Sequence, residues 1–393
     1  MNRINQKPRV LAVTKNSFIL RHARLAMPLL NLKKQGLISD YFITDPTLFD
    51  VPDDALFDVI WLQRVDDLSL LTHLARKIDN LFLYDLDDLL IGRAAYRGPD
   101  LVRQEAVLEA VRRARLLTVT SNRLVRLLEK YTQAPLAQKS LVCPNACEFP
   151  GAIRKPAKVA GLILTSSDNL PLTLSYNPVM DAVAEFSERR GLPVYYFGKE
   201  TEKVRARFRR LTSLGLVPYW HYHALLAALP PMIGLAPLET KADPETLDFI
   251  SGKSDIKMLE FGGHGHPGVY SNAPPYVDTD LQAGVVVDNT TAAWREGLDA
   301  VYGSLWRRLA QDQRQVMELR NMDRVAAECW YPALLKARLP RPLTGREIKY
   351  PRGMLNYFQK AFRHLVYSQD YLLLKKVQEQ MPPFLLKIVK KIY

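Results

Sequence analysis

Two lysines and a glutamate stand at helical spacing in the stretch from 250 to 276. Lys253, Lys257 and Glu260 occupy positions i, i+4 and i+7, so a helix would present all three on one face. If that helix begins near Ser254, a favoured N-cap residue, its free backbone N–H groups and the positive end of its dipole would attract phosphate. The Glu260 carboxylate could accept hydrogen bonds from sugar hydroxyls. The spacing is therefore compatible with a site for an anionic, sugar-containing ligand, but an ordinary surface helix has the same spacing and is the favoured interpretation of the spacing alone.

An acidic cluster follows one of the strand candidates. Asp85, Asp87 and Asp88 fall in the run from 84 to 90, at the carboxyl end of a short apolar segment. Clustered carboxylates in that position could activate or orient an acceptor hydroxyl, or hold a divalent ion. A solvated acidic turn that caps the next helix is the alternative interpretation.

Other polar or aromatic residues lie close to predicted strands. Lys15 and Asn16 come after the first strand, where Rossmann-like domains often place glycines beside a phosphate. Ser166 and Ser167 occupy the corresponding turn in the second half of the chain, where they could offer hydroxyl and N–H groups to a phosphate or cap a helix. Tyr219 opens an aromatic run that could stack on a base or fill the core.

Hydrophobic periodicity predicts the elements that would position these residues. Short β-branched runs alternate with longer amphipathic stretches, a pattern typical of parallel sheets crossed over by helices. In the first half the predicted strands are 10–14, 41–44, 59–62, 81–84, 116–120 and 140–143, and the predicted helices are 20–34, 68–78 and 123–131. After a linker the predicted strands are 161–165, 194–197 and 232–235, and the predicted helices are 180–189 and 202–211. The fold class is therefore α/β, with two Rossmann-like, doubly wound domains that face a cleft.

Several isolated residues are assigned structural roles. The three cysteines form no paired framework, which suits a reducing compartment, and Cys143 and Cys147 are expected to be buried thiols. Arg24 is expected at the surface, because isolated basic residues on helices are usually solvated. The polar start and the short first apolar run predict no signal sequence or membrane span, and hence a cytoplasmic protein. Hydrolase and nucleoside triphosphatase functions lose support, because no Gly-x-Ser-x-Gly, His-Glu-x-x-His or Walker-type motif occurs.

The end of the chain is strongly basic and amphipathic. The formal net charge is +13, and residues 341–393 contain eleven lysines and arginines against three acidic residues. Basic amphipathic helices lie on anionic membrane surfaces, so we expect this tail to contact one. The alternative is that its helices pack against the first domain with their lysines outward. Nucleic acid, the competing polyanion, is not expected as a partner, because the chain has no recognised nucleic-acid motif.

The stretch around Lys257 resembles a family signature. The pattern is Lys-Ser-x-x-Lys-x-Leu-Glu-Tyr, then small residues and Gly-x-Pro-x-Val, and the matching residues are Lys253, Ser254, Lys257, Leu259, Glu260, Phe261, Gly265, Pro267 and Val269. It is similar to the donor-binding segment of GT-B glycosyltransferases, above all bacterial family-four-like enzymes of surface polysaccharide synthesis. In that family the glutamate matching Glu260 holds the nucleotide ribose, and the basic residue matching Lys257 neutralises the diphosphate. The family's usual partner glutamate, eight positions before Glu260, is Gly252 here.

The resemblance implies a GT-B fold in which one domain binds the acceptor and the other binds the nucleotide-sugar donor. Residues 1–150 would form the acceptor domain, 151–335 the nucleotide-sugar donor domain, and 336–393 a basic tail that crosses back to the first domain, contacts the membrane, or does both. The implied catalytic residues are Asp85, Asp87 and Lys257; the donor-binding residues are Lys253, Ser254, Lys257, Glu260, Ser166, Ser167 and Tyr219; and the acceptor-side residues are Lys15, Asn16 and Asp88. GT-B enzymes generally work without a bound metal, so no metal or other cofactor is expected.

The function implied by the resemblance is transfer of a sugar from a nucleoside-diphosphate sugar to a glycan or lipid-linked glycan. The reaction would retain the anomeric configuration and serve bacterial surface polysaccharide or lipopolysaccharide synthesis, at the inner face of the cytoplasmic membrane. Two alternatives stay open: a catalytically inactive GT-B-fold binding or scaffold protein, and a GT-B enzyme that acts on nucleic acid.

Overall fold

The computed structural model describes residues 7–14, 22–44, 57–66, 82–92, 101–149, 153, 158–165, 176–198, 202–217, 219–303 and 309–339, and the structural statements below concern these residues. The predicted helix at 68–78 lies outside them. The basic tail from 340 onward also lies outside them, so its two predicted roles stay predictions.

The first half of the chain forms a six-stranded sheet with the order β2-β1-β3-β4-β5-β6. Its strands are β1 Arg9–Thr14, β2 Asp40–Thr44, β3 Val59–Gln63, β4 Leu83–Leu86, β5 Leu116–Val119 and β6 Ser140–Val142. All the pairings are parallel. Helices cover both faces of a parallel sheet, and burial beneath them stabilises its strands. Strands β3, β4 and β5 are accordingly buried along their whole length. The predicted strands are confirmed, but β4 begins later than predicted and includes Asp85.

Helices connect these strands. A π-helical turn at His22–Ala26 leads into α1, Met27–Lys34, and α2 and α3 span Leu101–Arg113 and Asn122–Thr132. A 3₁₀ turn at Ala137–Lys139 precedes β6. The start of α3 is fixed by Ser121, whose side chain accepts a hydrogen bond from the Leu124 backbone N–H.

The second half of the chain forms another six-stranded parallel sheet, with the order β12-β11-β10-β7-β8-β9. Its strands are β7 Leu162–Thr165, β8 Val194–Phe197, β9 Leu211–Ser213, β10 Ile233–Ala236, β11 Gly268–Ser271 and β12 Gly284–Val287. This is the doubly wound order of dinucleotide-binding domains, in which the chain reverses direction across the sheet between β7 and β10. The predicted helix at 202–211 is wrong at its end: it stops at Arg207, and residues from Leu211 pair with β8.

The helices of the second half are α4 Tyr176–Arg190, α5 Glu202–Arg207, α6 Tyr219–Ala228, α7 Pro244–Gly252, α8 Ile256–Gly263, α9 Pro274–Val277, α10 Thr291–Gly303 and α11 Leu309–Arg320. Helix α8 lies directly against the sheet, because Gly234 of β10 leaves room for the Phe261 ring. A Cβ atom at Gly234 would come within 2.3 Å of Phe261 Cδ2. Glycine at this position therefore lets the helix that carries Lys257 and Glu260 approach the strand.

The chain then returns to the first sheet. Helix α12, Met322–Val325, continues through a π-helical turn at Ala326–Trp330 into α13, Tyr331–Ala337. Met322, Trp330 and Leu334 are buried in the same core as Val10 and Trp61 of the first sheet. Residues up to 335 were predicted to belong to the second domain, but the apolar face of 322–337 packs on the first.

Cys143 and Cys147 are buried, as predicted, and among the described residues no disulfide joins the cysteines. Among the described residues, no helix has the length and apolar character needed to cross a membrane.

Candidate functional site

The segment with the family signature contains a break between two helices. Helix α7 ends at Gly252, and Lys253 follows in an extended conformation with φ −65° and ψ 157°. Helix α8 starts at Ile256, with Asp255 as its N-cap residue. The predicted helix does begin near Ser254, but its N-cap residue is Asp255 and Lys253 lies outside it, so the prediction that one helix presents all three charged residues is wrong. Lys257 and Glu260 share α8, whereas the Lys253 ammonium lies over the Phe249 ring, 4.4 Å from its centroid.

Glu260 is a buried carboxylate with two donors on one oxygen. The residue is only 2% exposed. Its Oε2 lies 2.7 Å from Lys257 Nζ and accepts a hydrogen bond from the Tyr222 hydroxyl at 3.0 Å. The Lys257 side chain stays 30% exposed, so its ammonium can also meet a ligand from solvent. A buried carboxylate and a half-buried cation side by side provide groups for both a sugar hydroxyl and a phosphate.

Tyr222, which belongs to the aromatic run that Tyr219 opens, is the aromatic residue of this run that contacts Glu260 among the described side chains. Tyr219 opens α6, and its side chain lies outside the described residues. The Tyr222 ring packs edge-on against Phe197, with ring centroids 5.1 Å apart, and lies under the Lys257 ammonium at 5.0 Å. Burial, followed by the neighbouring Glu260 carboxylate, raises the pKa of Tyr222 well above its usual value. The Tyr222 hydroxyl therefore stays protonated and donates.

Asp85 lies inside β4 and holds a buried arginine. Arg24 Nη2 and Nε donate to the two carboxylate oxygens at 2.6 and 3.1 Å, and Thr118 donates to Oδ1 at 2.8 Å. Asp85 is fully buried and Arg24 is 1% exposed, so the predicted surface role of Arg24 is wrong. Burial alone would lower the pKa of Arg24, but Asp85 outweighs it and the pKa is raised. With its oxygens engaged in this way, Asp85 fits a positioning role better than direct contact with an acceptor.

Asp87 and Asp88 lie in the turn after β4, close to a second buried arginine. Arg64 Nη1 is 3.3 Å from Asp87 Oδ1 and 3.7 Å from Asp88 Oδ2. Asp87 Oδ1 has no hydrogen bond of suitable geometry among the described residues. Burial raises the pKa of Asp87 to about 6, with Asp88 adding to the shift and Arg64 opposing it. A carboxylate that titrates near neutral pH suits proton transfer or hydroxyl orientation.

A hydrogen-bonded chain connects the acidic strand with the helix break. Arg24 Nη1 donates to the Cys143 carbonyl at 2.7 Å and to Asn145 Oδ1 at 3.2 Å. Asn145 Nδ2 then donates to Ser254 Oγ at 2.8 Å. Ser254 was predicted to contact the donor, but here its hydroxyl accepts a hydrogen bond from the chain segment that follows β6. The acidic end of β4 and the approach to α8 are therefore coupled through fixed polar groups.

The first lobe, meaning the first sheet with its helices, also contacts the second lobe through α3. Arg123 donates to the carbonyls of Ser251 at 3.2 Å and Asp278 at 2.8 Å. Further along α3, the Lys130 ammonium lies 2.5 Å from the Asp248 carboxylate of α7. These contacts place α3 against the end of α7, directly before the break.

Gly252 stands where the family signature has its usual partner glutamate. A Cβ atom at this position would come within 2.9 Å of Leu89 Cβ and 3.4 Å of Leu127 Cδ1, both in the first lobe. A glutamate side chain has no room there in this arrangement of the lobes. The missing carboxylate therefore coincides with close packing between the two halves of the chain.

The remaining predicted site residues are Lys15, Asn16, Ser166 and Ser167, and all four lie outside the described residues. Arg64 and Asn145 were not predicted as members of the site, Arg24 was predicted at the surface, and Tyr222 was predicted only as part of the aromatic run that Tyr219 opens. The burial of Asp85 is the one signal that points to a residue such as Arg24. A carboxylate inside a strand requires a cation partner. The identity of that partner, 61 positions away, is not visible in the sequence.

No family model matches the sequence, and no curated protein matches it significantly. Solved structures do resemble it. Anabaena HepE in complex with UDP and glucose superposes with a TM-score of 0.54 at 12% identity, covering 81% of this chain and 97% of that one. Sucrose-phosphate synthase from Thermosynechococcus elongatus superposes with a TM-score of 0.56 at 12% identity, covering 81% of this chain and 97% of that one. A glycosyltransferase from Rickettsia africae superposes with a TM-score of 0.55 at 12% identity, covering 84% of this chain and 99% of that one.

The likeness to these neighbours shows a shared fold, and it covers 97% or more of each neighbour. The predicted fold class is confirmed: the chain has the GT-B fold, with two six-stranded parallel sheets and a helical segment that returns to the first.

Proposed function

We propose that the protein is a glycosyltransferase that moves a sugar from a nucleoside-diphosphate sugar to an acceptor hydroxyl. The observation that carries the proposal is the pair on α8, in which a half-exposed Lys257 lies 2.7 Å from the buried Glu260 carboxylate. The position and spacing of this pair match the family signature. The likeness to HepE supports the proposal, because HepE has been solved with UDP and with UDP-glucose. A uridine nucleotide is therefore the first donor to test.

In the proposed reaction the donor nucleotide binds beside α8. Glu260 accepts hydrogen bonds from the ribose, and Lys257 faces the diphosphate. The acceptor oxygen forms a bond to the anomeric carbon while the bond from that carbon to the diphosphate oxygen breaks. Negative charge accumulates on the departing diphosphate, so a preorganised cation there lowers the barrier. Asp87, ionised at neutral pH, accepts the hydrogen bond of the acceptor hydroxyl and takes up its proton as the new bond forms.

The acceptor and the setting belong to the same proposal. A glycan or lipid-linked glycan at the inner face of the cytoplasmic membrane, in surface polysaccharide synthesis, is supported by the family signature and by the basic tail. Retention of the anomeric configuration rests on the signature alone, and determination of the product anomer by NMR tests it. The proposed reaction needs no metal or other cofactor.

The proposal is tested first by thermal shift with UDP, ADP, GDP and CDP, because a ligand of the folded state raises its apparent stability. Release of the diphosphate from the matching nucleotide sugars, with and without glycan acceptors, then measures turnover. Lys257→Ala should lower turnover about 100-fold or more, as loss of one transition-state donor does. Lys336→Ala, an exposed lysine on α13, is the matched control and should leave turnover unchanged.

A catalytically inactive scaffold is the second candidate, and Gly252 is the observation that favours it. Its contact with Leu89 closes the position of the family's partner glutamate. A scaffold would bind nucleotide in the thermal-shift experiment yet release no diphosphate with any acceptor.

A further inference from the structure

The two oxygens of the Glu260 carboxylate have different surroundings. Oε2 is approached by two donors, the Tyr222 hydroxyl at 3.0 Å and the Lys257 ammonium at 2.7 Å. Oε1 lies 3.9 Å from His223 Nε2, beyond hydrogen-bonding distance, and has no hydrogen bond to the described part of the chain. A nearly buried carboxylate is costly unless its oxygens are satisfied, so Oε1 is the oxygen with capacity for a ligand hydroxyl.

Tyr222 is the more rigid of the two groups on Oε2. Its ring is 8% exposed and packs edge-on against Phe197 and against the His223 imidazole, with centroids 5.1 and 5.5 Å away. The Lys257 ammonium, by contrast, ends a flexible side chain that is 30% exposed. In the proposed reaction that ammonium also faces the diphosphate, so it cannot by itself fix the plane of the carboxylate.

We propose that Tyr222 is a positioning residue: its hydroxyl holds Oε2 of Glu260 so that Oε1 is presented to the ribose hydroxyls of a bound nucleotide. This inference rests on the proposed function, since it takes a ribonucleotide as the ligand. Without the tyrosine hydroxyl the carboxylate keeps its charge and its lysine but loses its orientation. The consequence is selective, because contacts to the ribose weaken while contacts to the base and the diphosphate do not.

The test compares a ribonucleotide with its counterpart lacking both ribose hydroxyls. Wild type and Tyr222→Phe are titrated calorimetrically with UDP and with 2′,3′-dideoxyuridine 5′-diphosphate, or with the ADP, GDP or CDP pair if that base gives the thermal shift. Hydrogen bonds to a charged group are worth about 1.5–3 kcal/mol, so the wild type should prefer the ribose form about tenfold or more. In Tyr222→Phe the preference should fall to about threefold or less, with dideoxy affinity unchanged.

Tyr270→Phe is the matched control. Tyr270 is a fully buried tyrosine of the same lobe whose hydroxyl donates to the Ala283 carbonyl at 3.3 Å, away from the Glu260 carboxylate. It should keep the wild-type preference for ribose, and thermal unfolding of both variants reports whether they fold.

Three results would overturn the inference. A folded Tyr222→Phe protein with the wild-type preference shows that the hydroxyl does not orient Glu260. An equal loss of affinity for both nucleotides shows a general packing role instead. A wild type that binds both nucleotides equally, but loses binding in Lys257→Ala, removes the ribose contact while leaving the proposed function intact. Failure of the wild type to bind any of the four diphosphates contradicts the proposed function itself.

Discussion

Asp85 and Asp87 stand close together at the end of β4, yet their carboxylates meet different surroundings. Asp85 faces the Arg24 guanidinium with both oxygens and also accepts from Thr118. Asp87 is nearly as buried, but its Oδ1 has no hydrogen bond among the described residues. Both were predicted as catalytic residues, and this geometry favours Asp87 as the group that meets an acceptor and Asp85 as the group that fixes Arg24.

Replacement of Asp87 should separate activity from stability. Its pKa is raised from 3.8 to about 6, so between these pH values the folded chain binds more protons than the unfolded chain. This group's contribution to stability is therefore lost as pH rises through that window. We expect Asp87→Asn to unfold at a higher temperature than wild type at pH 7.5, yet to turn over about 100-fold more slowly. Wild-type turnover should also fall as pH drops below about 6, as Asp87 protonates.

Asp85→Asn is the matched control and should behave in the opposite way. It leaves the buried Arg24 guanidinium without its counterion, a change that costs about 3–5 kcal/mol. Denaturant unfolding of the two variants at pH 7.5 measures the difference. Equal destabilisation of both variants would contradict the distinction between a positioning carboxylate and an acceptor-side carboxylate.

At the scale of elements, the sequence predicts what depends on local periodicity. The apolar runs of β1, β3 and β8 and the helix at α3 lie where alternation and amphipathic spacing place them. Strands β9, β11 and β12 were not predicted. Strand β9 is short and polar, and it exists through pairing with β8. The hydrogen bond from Arg123 to the Ser251 carbonyl at the end of α7 joins residues 128 positions apart, so no local pattern predicts it.

The close approach at Gly252 gives a prediction about the α7 to α8 connection. Gly252→Ala places a Cβ atom 2.9 Å from Leu89 Cβ, which forces the lobes or the loop to shift at a cost of about 1–3 kcal/mol. Gly303→Ala at the end of α10 is the control, since no atom lies within 4 Å of its added Cβ. Denaturant unfolding should show a loss for the first variant and none for the second. Equal stabilities would mean that the Leu89 contact does not constrain this element.

At the scale of the whole molecule, Arg123 connects α3 to the second lobe alongside the contact of Lys130 with Asp248. It donates to the backbone carbonyls of Ser251, Lys253 and Asp278, and it is 8% exposed. We expect Arg123→Ala to loosen the contact between the lobes, which raises the radius of gyration in X-ray scattering and speeds proteolysis of the segment that connects them. Arg126→Ala, an exposed arginine on the same helix, should change neither. Identical scattering from all three proteins would show that Arg123 does not hold the lobes together.

The basic tail gives a prediction about location. Residues 381–393 contain Lys387, Lys390 and Lys391 beside apolar residues, and each basic residue near an anionic surface contributes about 1 kcal/mol. We expect deletion of 381–393 to reduce cosedimentation with phosphatidylglycerol-containing vesicles several-fold. Turnover with a soluble acceptor should stay unchanged. Full vesicle binding by the truncated protein would remove this segment as the membrane contact.

Helix α8 is proposed to hold the nucleotide through Glu260 and Lys257. A crystal structure with the nucleoside diphosphate that gives the thermal shift is the decisive measurement. We expect a ribose hydroxyl within about 2.6–3.2 Å of Glu260 Oε1 and a diphosphate oxygen within reach of Lys257 Nζ. A nucleotide bound elsewhere, with the carboxylate and the ammonium touching only each other and Tyr222, would show that α8 is not the nucleotide site.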